Sequence, residues 1–509
     1  MKAIEMIGIN KSFGSKFANA DVDFHVDKGE IHSLLGENGA GKTTLMNILF
    51  GMIKPDSGKI LLNEKEVKID SPLEAIANGI SMVHQHFMLV DNLTVAENIV
   101  LGAEPKKGIL FDREGAFREI QEIADRYHFV IDPRELVGNL SVGVKQRVEI
   151  LKALYHRSDI LILDEPTAVL TPQEVNDLFK VLKELKADGK TIIIITHKLK
   201  ETMAIADSVT ILRRGALIGR YNISEVDEQK LADLMVGRLV NFSIEKKPME
   251  GEMPVKLSLK NISLKKKNGK QALDDLSLEV HAGEILGVAG VEGNGQSELI
   301  EVLTGVAPHY SGVYMIGEND VTNKNAKTIL KYMANIAEDR KARGYVKNFT
   351  NWENLILGYH TLSDYMTKAG FLKTREIRKI TEEEIEANDI RTDGPMQFTD
   401  SLSGGNVQKL IVARMLRHQK GLVLAAQPTR GVDIGAIEYI HGELVKLRDA
   451  GAAVILISAE LDEIVKLSDR IAVLYEGRVA ALRKAEEFTE SELGSYMLGH
   501  DPEKEGAEA

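Results

Sequence analysis

The sequence predicts an α/β protein of two tandem domains, and three observations carry that reading. First, short runs rich in β-branched residues, such as Thr191-Ile-Ile-Ile-Ile-Thr196, alternate with amphipathic helical stretches in each half. That is the pattern of a mostly parallel sheet covered by helices. Second, the chain repeats itself. Gly36-Glu-Asn-Gly-Ala-Gly-Lys42 recurs as Gly290-Val-Glu-Gly-Asn-Gly-Gln296 at an offset of 254, and Leu140-Ser-Val-Gly recurs as Leu402-Ser-Gly-Gly at an offset of 262. Third, the loop at Gly36 follows a strand-like run, 31–35, and precedes a helical one, 43–49. Strand, glycine-rich loop and helix in that order form a phosphate-binding context.

The repeat is collinear. Leu163-Asp-Glu-Pro-Thr returns as Ala425-Ala-Gln-Pro-Thr, Met235-Val-Gly-Arg as Met497-Leu-Gly-His, and Thr94-Val-Ala-Glu-Asn98 as Thr350-Asn-Trp-Glu-Asn354. Preserved order with one net insertion implies duplication of a whole domain rather than a short solenoid repeat. The joint is the polar stretch Glu245-Lys-Lys-Pro-Met-Glu-Gly-Glu-Met-Pro254, which reads as an exposed linker. The predicted organisation is a first domain at 1–240, a linker at 241–254, a second domain at 255–500 and an acidic tail at 501–509. Between the loop at Gly36 and the Asp164-Glu165 strand lie more residues than a compact nucleotide fold needs. An inserted helical subdomain around 113–127 accounts for them.

Composition narrows the class. No segment stays apolar for the roughly 18 residues that a membrane-crossing helix needs, so a membrane role would come through partners. The start, Met1-Lys-Ala-Ile-Glu-Met-Ile, lacks the basic and apolar regions of a secretory signal. The chain has no cysteine, which excludes disulfides and thiolate metal sites and fits a reducing compartment. A net charge of −12 disfavours a general nucleic-acid binder.

The chemistry gathers in the first half. In the Gly36-x-x-x-x-Gly41-Lys42-Thr43 motif, glycines let consecutive N–H groups turn inward toward phosphates, and the following helix adds its positive N-terminal end. Lys42 suits the β- and γ-phosphates, and the Thr43 hydroxyl suits Mg²⁺. Such a loop also arises by chance. Asp164-Glu165 ends the apolar run 160–163, which places one carboxylate to hold Mg²⁺ and a second to polarise the attacking water. An acidic pair after a strand is more often a helix cap. His197 ends the run 191–196 and could reach a γ-phosphate, although a histidine at a strand end is usually structural.

With these residues assembled, the chain resembles the ABC transporter ATPases over nearly its whole length. The resemblance implies two P-loop NTPase domains, each a RecA-like core with a small antiparallel sheet and a helical subdomain. It implies ATP and Mg²⁺ as cofactors. In that family the loop Gly36, Glu37, Asn38, Gly39, Ala40, Gly41, Lys42, Thr43, with Thr44, is the Walker A nucleotide site. Asp164 matches the Walker B aspartate, Glu165 the catalytic glutamate and His197 the switch histidine. Gln85, in Met82-Val-His-Gln-His-Phe87, is similar to the glutamine that contacts Mg²⁺ and links hydrolysis to the permease. The implied metal ligands are therefore Thr43, Gln85 and Asp164. Phe13 stands where the family has an aromatic stacked on adenine; ordinary core packing is its other reading. Leu402-Ser403-Gly404-Gly405-Asn-Val-Gln408 resembles the signature motif, whose serine and glycine amides bind the γ-phosphate of a nucleotide held by another cassette.

The second half departs from the pattern. Gln296 replaces the lysine, Ala426 the Mg²⁺ aspartate, Gln427 the catalytic glutamate and Ala459 the switch histidine, while Glu338 occupies the glutamine position. Loss of cation, metal carboxylate and base removes most of the electrostatic stabilisation that phosphoryl transfer requires. The first-half signature is also altered, with Val142 and Val144 in place of Gly and a polar residue. In the family, cassettes pair head to tail. The intact Walker set would then meet the intact signature, giving one hydrolytic and one degenerate site.

Glu338-Asp-Arg340 and Arg430-Gly-Val-Asp433 are similar to those of simple-sugar and nucleoside importers. His84-Gln-His-Phe87, Ala425-Ala-Gln-Pro428 and Tyr496-Met-Leu-Gly499 resemble the nucleoside branch. The resemblance implies a peripheral protein on the cytoplasmic face of the membrane. Its partners would be two integral-membrane permeases and, indirectly, an extracytoplasmic substrate-binding lipoprotein, with no nucleic acid. Ribose/galactose-type import is the alternative. Tandem ABC ATPases acting on ribosomes or nucleic acid carry two competent sites and a long basic linker, and a purely regulatory ATP sensor would not keep Glu165 and His197.

Overall fold

In a computed structural model, the described residues are 1–500 except 15, 85, 86, 168, 169, 171, 241–243, 249, 250, 252, 267, 268, 292, 308 and 419. The chain divides into two compact units, Met1–Val240 and Asn241–Ala509. The tail at 501–509 lies outside the described residues.

The first unit is built on a six-stranded sheet. Its order is Ala216–Asn222, Ser208–Arg213, Ile31–Leu35, Thr191–Thr196, Ile160–Asp164, Ile80–Val83. All neighbours are parallel except the antiparallel edge pair formed by the first two. Continuous burial of Ile160–Asp164 and Thr191–Thr196 explains their unbroken apolar composition, because strands covered on both faces lose the alternation of a half-exposed strand. Each isoleucine so buried contributes roughly 1.5–3 kcal/mol of transfer free energy. A four-stranded antiparallel sheet, in the order Lys16–Asp27, Lys2–Phe13, Ser57–Leu62, Lys65–Val67, packs on the other side of the loop-bearing helix Lys42–Leu49 through Met6, Phe24, Leu45 and Ile60. Helices Val95–Val100, Arg113–Arg126 and Val142–Tyr155 form the expected helical insertion, joined through Ile99, Ile120 and Leu151.

The second unit repeats the plan. Its six-stranded sheet runs Ala334–Ile336, Leu422–Ala426, Ala453–Ile457, Ile285–Ala289, Arg470–Tyr475, Arg478–Lys484, again with one antiparallel edge pair. A second antiparallel sheet of four strands and the helices Asn351–Leu355, Thr374–Ala387 and Gly404–Arg417 complete it. Among the described residues, no helix is long and apolar enough to cross a membrane.

Part of the stretch expected to be an exposed linker is tied down. Ile244 packs against the second unit's core, and Lys246 donates to the carbonyls of Leu467 and Ser468 at 3.3 and 2.8 Å and pairs with Asp469. The Lys246 ammonium thus finds carbonyl and carboxylate partners that a charge count along the chain does not show. The sole tryptophan, Trp352, is 9% exposed and sits in a small cluster with Ile356, Tyr359, Tyr365 and Ile377. It is a core residue of the helical insertion.

Candidate functional site

Three parallel strands of the first unit end side by side, and their ends carry the chemistry. Thr196 pairs in register with Leu35, and Ile195 with Asp164, so the residues that follow them emerge at one edge of the sheet. That edge is where open α/β sheets bind ligands. The loop after Ile31–Leu35 turns through Gly39 and Gly41, whose φ values of 81° and 99° lie in the left-handed region. A Cβ on Gly41 would lie 2.1 Å from the Ala18 carbonyl oxygen, and one on Gly36 would lie 2.4 Å from that of Leu212. These two glycines are fixed by close backbone approach. At Gly39 an added Cβ would meet nothing, so that glycine faces open space, as does exposed Asn38 beside it.

Lys42 is buried at 6% exposure, and its Nζ donates to the carbonyls of Gly36 and Glu37 at 2.6 and 3.1 Å. Burial lowers its pKa, opposed by the charges of Glu165, Asp164 and Glu37. Asp164 is pushed up to about 6, by burial first and then by the neighbouring Glu165 charge, against Lys42 and a hydrogen bond from the Thr43 hydroxyl. Glu165 moves the other way. Burial raises it, but the hydrogen bond and charge of His197, with Lys42 and Lys198, outweigh burial and leave it below the usual range. The His197 Nδ1 to Glu165 Oε1 distance is 2.9 Å. Glu165 itself has φ 47°, a conformation that costs a non-glycine residue roughly 1–2 kcal/mol, and its N–H donates to the Ile195 carbonyl at 2.9 Å. Such stored strain is a common mark of functional positions.

The structure therefore brings Gly36, Glu37, Asn38, Gly39, Ala40, Gly41, Lys42, Thr43, Thr44, Asp164, Glu165 and His197 together. Phe13 lies at the end of strand Lys2–Phe13 and is 55% exposed, with Lys11 Nζ 5.7 Å from its ring centre. Its exposure excludes the core-packing reading. Gln85 lies outside the described residues. Ser403 caps helix Gly404–Arg417 in the second unit and accepts from Asn406 Nδ2 at 2.7 Å, with Gly404 and Gly405 opening the helix. The oxygen set of Thr43 and Asp164 suits a hard divalent cation such as Mg²⁺, and the side-chain-free approach at Gly39 suits a phosphate. The residues present thus fit both groups.

Some contributors escaped the sequence reading. Asn19 is fully buried and donates from Nδ2 to the Gly41 carbonyl at 3.2 Å, bracing the loop from the antiparallel sheet. Thr167 donates to Glu201 at 2.5 Å, and Glu201 pairs with Lys198 at 3.1 Å. The repeat of Glu-Pro-Thr as Gln-Pro-Thr was the available signal for this contact. Thr429 correspondingly donates to buried Glu463 at 2.9 Å.

In the second unit the same architecture holds different chemistry. Gln296 Nε2 donates to the Gly290 carbonyl at 3.1 Å, in the place of the lysine contact, and Ser297 donates to Glu338 at 3.1 Å. Gln427 keeps the left-handed φ of 46° that Glu165 has, but its Oε1 accepts from the Ala459 N–H at 3.2 Å. The second unit thus keeps the backbone conformation without the carboxylates and the cation.

Comparison with known proteins agrees with this geometry. The profile of the ABC transporter family matches residues 20–168 and 273–430, one copy in each unit. The chain is 46% identical over 497 residues to the nucleoside import ATP-binding protein NupA of Lactococcus lactis subsp. cremoris, covering 97% of this chain and 98% of that protein. It is 47% identical over 504 residues to the guanosine import ATP-binding protein NupO of Bacillus subtilis, covering 99% and 98%. It is 42% identical over 529 residues to the glucose import ATP-binding protein TsgD13 of Haloferax volcanii, covering 97% and 96%. With a complete phosphate loop, a carboxylate pair and a strand-end histidine on one sheet edge, and the family profile met twice, the chain belongs to the ABC transporter family as a two-cassette, ATP-hydrolysing ABC ATPase.

Proposed function

We propose that this chain drives uptake of a nucleoside across the cytoplasmic membrane, hydrolysing ATP at the first cassette alone. Full-length identity to a nucleoside and a guanosine import protein is the observation that carries the cargo. Glucose import by a relative 42% identical favours the second reading, simple-sugar uptake. In this proposal the protein sits on the cytoplasmic face with two integral-membrane permeases, supplied by an extracytoplasmic binding lipoprotein. Residues 241–254 join the cassettes, and 501–509 form a tail.

The loop at 36–43 and helix Lys42–Leu49 receive the phosphates, and Lys42 exchanges its carbonyl partners for the β- and γ-phosphate oxygens. Thr43 and Asp164, with Gln85, would hold Mg²⁺, which when bound supplies positive charge to the phosphate oxygens. Glu165, ionised at neutral pH, accepts a hydrogen bond from the attacking water, and His197 holds that carboxylate in place. Phe13 offers its exposed ring to adenine. Ser403, Gly404 and Gly405 would present their hydroxyl and amides to the γ-phosphate. Support for that last role is the sorting of intact and altered motifs between the halves.

Transport by the complex reconstituted with its permeases and binding protein tests the cargo. Uptake of labelled guanosine or another nucleoside in preference to ribose, galactose or glucose is expected. Preferential sugar uptake would overturn the nucleoside assignment and leave the ATPase assignment standing.

A further inference from the structure

The first half and the second differ at one more pair of positions. Where the second unit has Arg340 and Gly404, the corresponding residues of the first are Phe87 and Val142. The second-unit pair is in direct contact. Arg340 opens the turn Arg340–Gly344, which Asp339 caps by accepting from the N–H groups of Lys341 and Ala342 at 2.8 and 3.0 Å. From there the guanidinium crosses to a distant segment, donating from Nη1 to the Arg430 carbonyl at 2.8 Å and from Nη2 to the Gly431 carbonyl at 2.9 Å. A Cβ on Gly404 would lie 2.7 Å from Arg340 Nη2 and 3.4 Å from the Gly431 carbonyl oxygen. On Gly405 it would lie 2.5 Å from Asp433 Oδ2, whose other oxygen caps helix Ile434–Asp449 by accepting from the Ala436 N–H at 2.8 Å.

The start of the signature helix is thus wedged between two fixed groups. One is a guanidinium that clamps the turn after Gln427, and the other is the carboxylate that caps the next helix. Two parallel N–H donors on adjacent carbonyls need the planar fork of arginine; a lysine ammonium cannot reproduce the geometry. A glycine at 404 is what lets the fork approach. These contacts join the segment that carries Glu338 to the turn after Gln427 and to Ser403, Gly404 and Gly405.

We propose that Arg340 is a positioning residue for the signature loop: by fixing the Arg430–Gly431 turn against Gly404, it sets how the Ser403 hydroxyl and the Gly404 and Gly405 amides are presented to a γ-phosphate. This rests on the reading of the signature loop given above. Arg340 touches no reacting atom, so its loss should lower turnover without weakening ATP capture at the first cassette.

The test compares Arg340→Ala, Arg340→Lys, Gly404→Ala and the double variant Arg340→Ala/Gly404→Ala. Hydrogen exchange of the peptide covering 402–408 is measured on the full chain, binding of a fluorescent ATP analogue on the same chain, and ATP turnover on the chain assembled with its permeases. Arg340→Ala should speed exchange at 402–408 and lower kcat roughly tenfold, less than loss of a direct oxyanion donor, with analogue affinity within about twofold. Arg340→Lys should fall between. In Gly404→Ala the added methyl displaces the guanidinium, so it should reproduce the arginine loss even if Arg340→Ala folds poorly. The double variant should be no worse than either single change, since both break one contact. Unchanged exchange and turnover in Arg340→Ala, or losses that multiply in the double variant, would overturn the proposal. Ser403→Ala separates the two levels. If it leaves turnover unaltered, the signature reading fails, while exchange at 402–408 still decides whether Arg340 holds the loop.

Discussion

Glu165 and His197 face each other across 2.9 Å, from the ends of adjacent parallel strands. Register alone brings them there. The imidazole offsets the burial that would otherwise raise the carboxyl, so the carboxylate stays charged, as its proposed role in polarising a water requires. His197→Ala should therefore cost roughly 10² in turnover, the lower range for loss of an acid–base group. Equilibrium ATP binding should change little. Turnover within twofold of the parent would show that Glu165 needs no such partner.

Gly41→Ala should be more damaging than Gly39→Ala. Both need left-handed backbone, but only the methyl on Gly41 would also collide with the Ala18 carbonyl, at 2.1 Å. A lowered melting temperature for the first unit, by about 3 °C or more, and loss of ATP binding are expected for Gly41→Ala. For Gly39→Ala the melting temperature should fall less. Calorimetry and nucleotide binding on the same two proteins decide it.

Phe13→Ala should leave stability near that of the parent, because a ring 55% exposed has little packing to lose. Affinity for ATP should fall roughly tenfold, the scale of one base–aromatic stack, and Phe13→Tyr should restore it. An unchanged dissociation constant in Phe13→Ala would remove the ring from the nucleotide site.

Trp352 calls for the opposite experiment. Buried with Tyr359, Tyr365 and Ile377, it should cost about 3–5 kcal/mol on truncation to alanine. As the only tryptophan, its fluorescence in the parent reports unfolding of the second unit alone. A Trp352→Ala protein with parental stability would contradict its place in the core.

The Glu30 carboxyl is held at about 2. Burial raises it, but His32, the Asp27 N–H and Arg220 together lower it further. A depressed carboxyl stabilises the fold above its unfolded value, near 4.3, and that contribution is lost as pH falls through about 2. Glu30→Gln should thus be less stable at pH 7 and lose less stability between about pH 4 and 2. Parallel stability curves for the two proteins would refute the assignment.

Much of this was legible in the sequence, and the boundary has a physical cause. The duplication shows as a collinear repeat, and the phosphate loop, Asp164-Glu165 and His197 are local patterns at strand ends, which the structure gathers on one sheet edge. Contacts between distant segments left no local mark. Asn19 reaches Gly41, and Arg340 reaches Arg430 across 90 positions. Nor does a five-residue helix such as Asn351–Leu355 show by spacing which face it buries, so the burial of Trp352 emerged only from its neighbours. Lys246 likewise shows that a polar, proline-bearing stretch can be anchored by its own cations.

A single hydrolytic cassette would make the two units respond unequally to substitution at their equivalent positions, Glu165 and Gln427. ATP turnover of the transporter assembled with its permeases should be measured for Glu165→Gln and for Gln427→Ala side by side. Glu165→Gln should keep ATP bound and lower turnover by about 10² or more, because the ionised oxygen paired with His197 is replaced by an amide. Gln427→Ala should turn over within a fewfold of the parent, since that position already holds an amide bonded to the Ala459 N–H. Comparable losses in both proteins, or sustained turnover in Glu165→Gln, would contradict the assignment of hydrolysis to the first cassette.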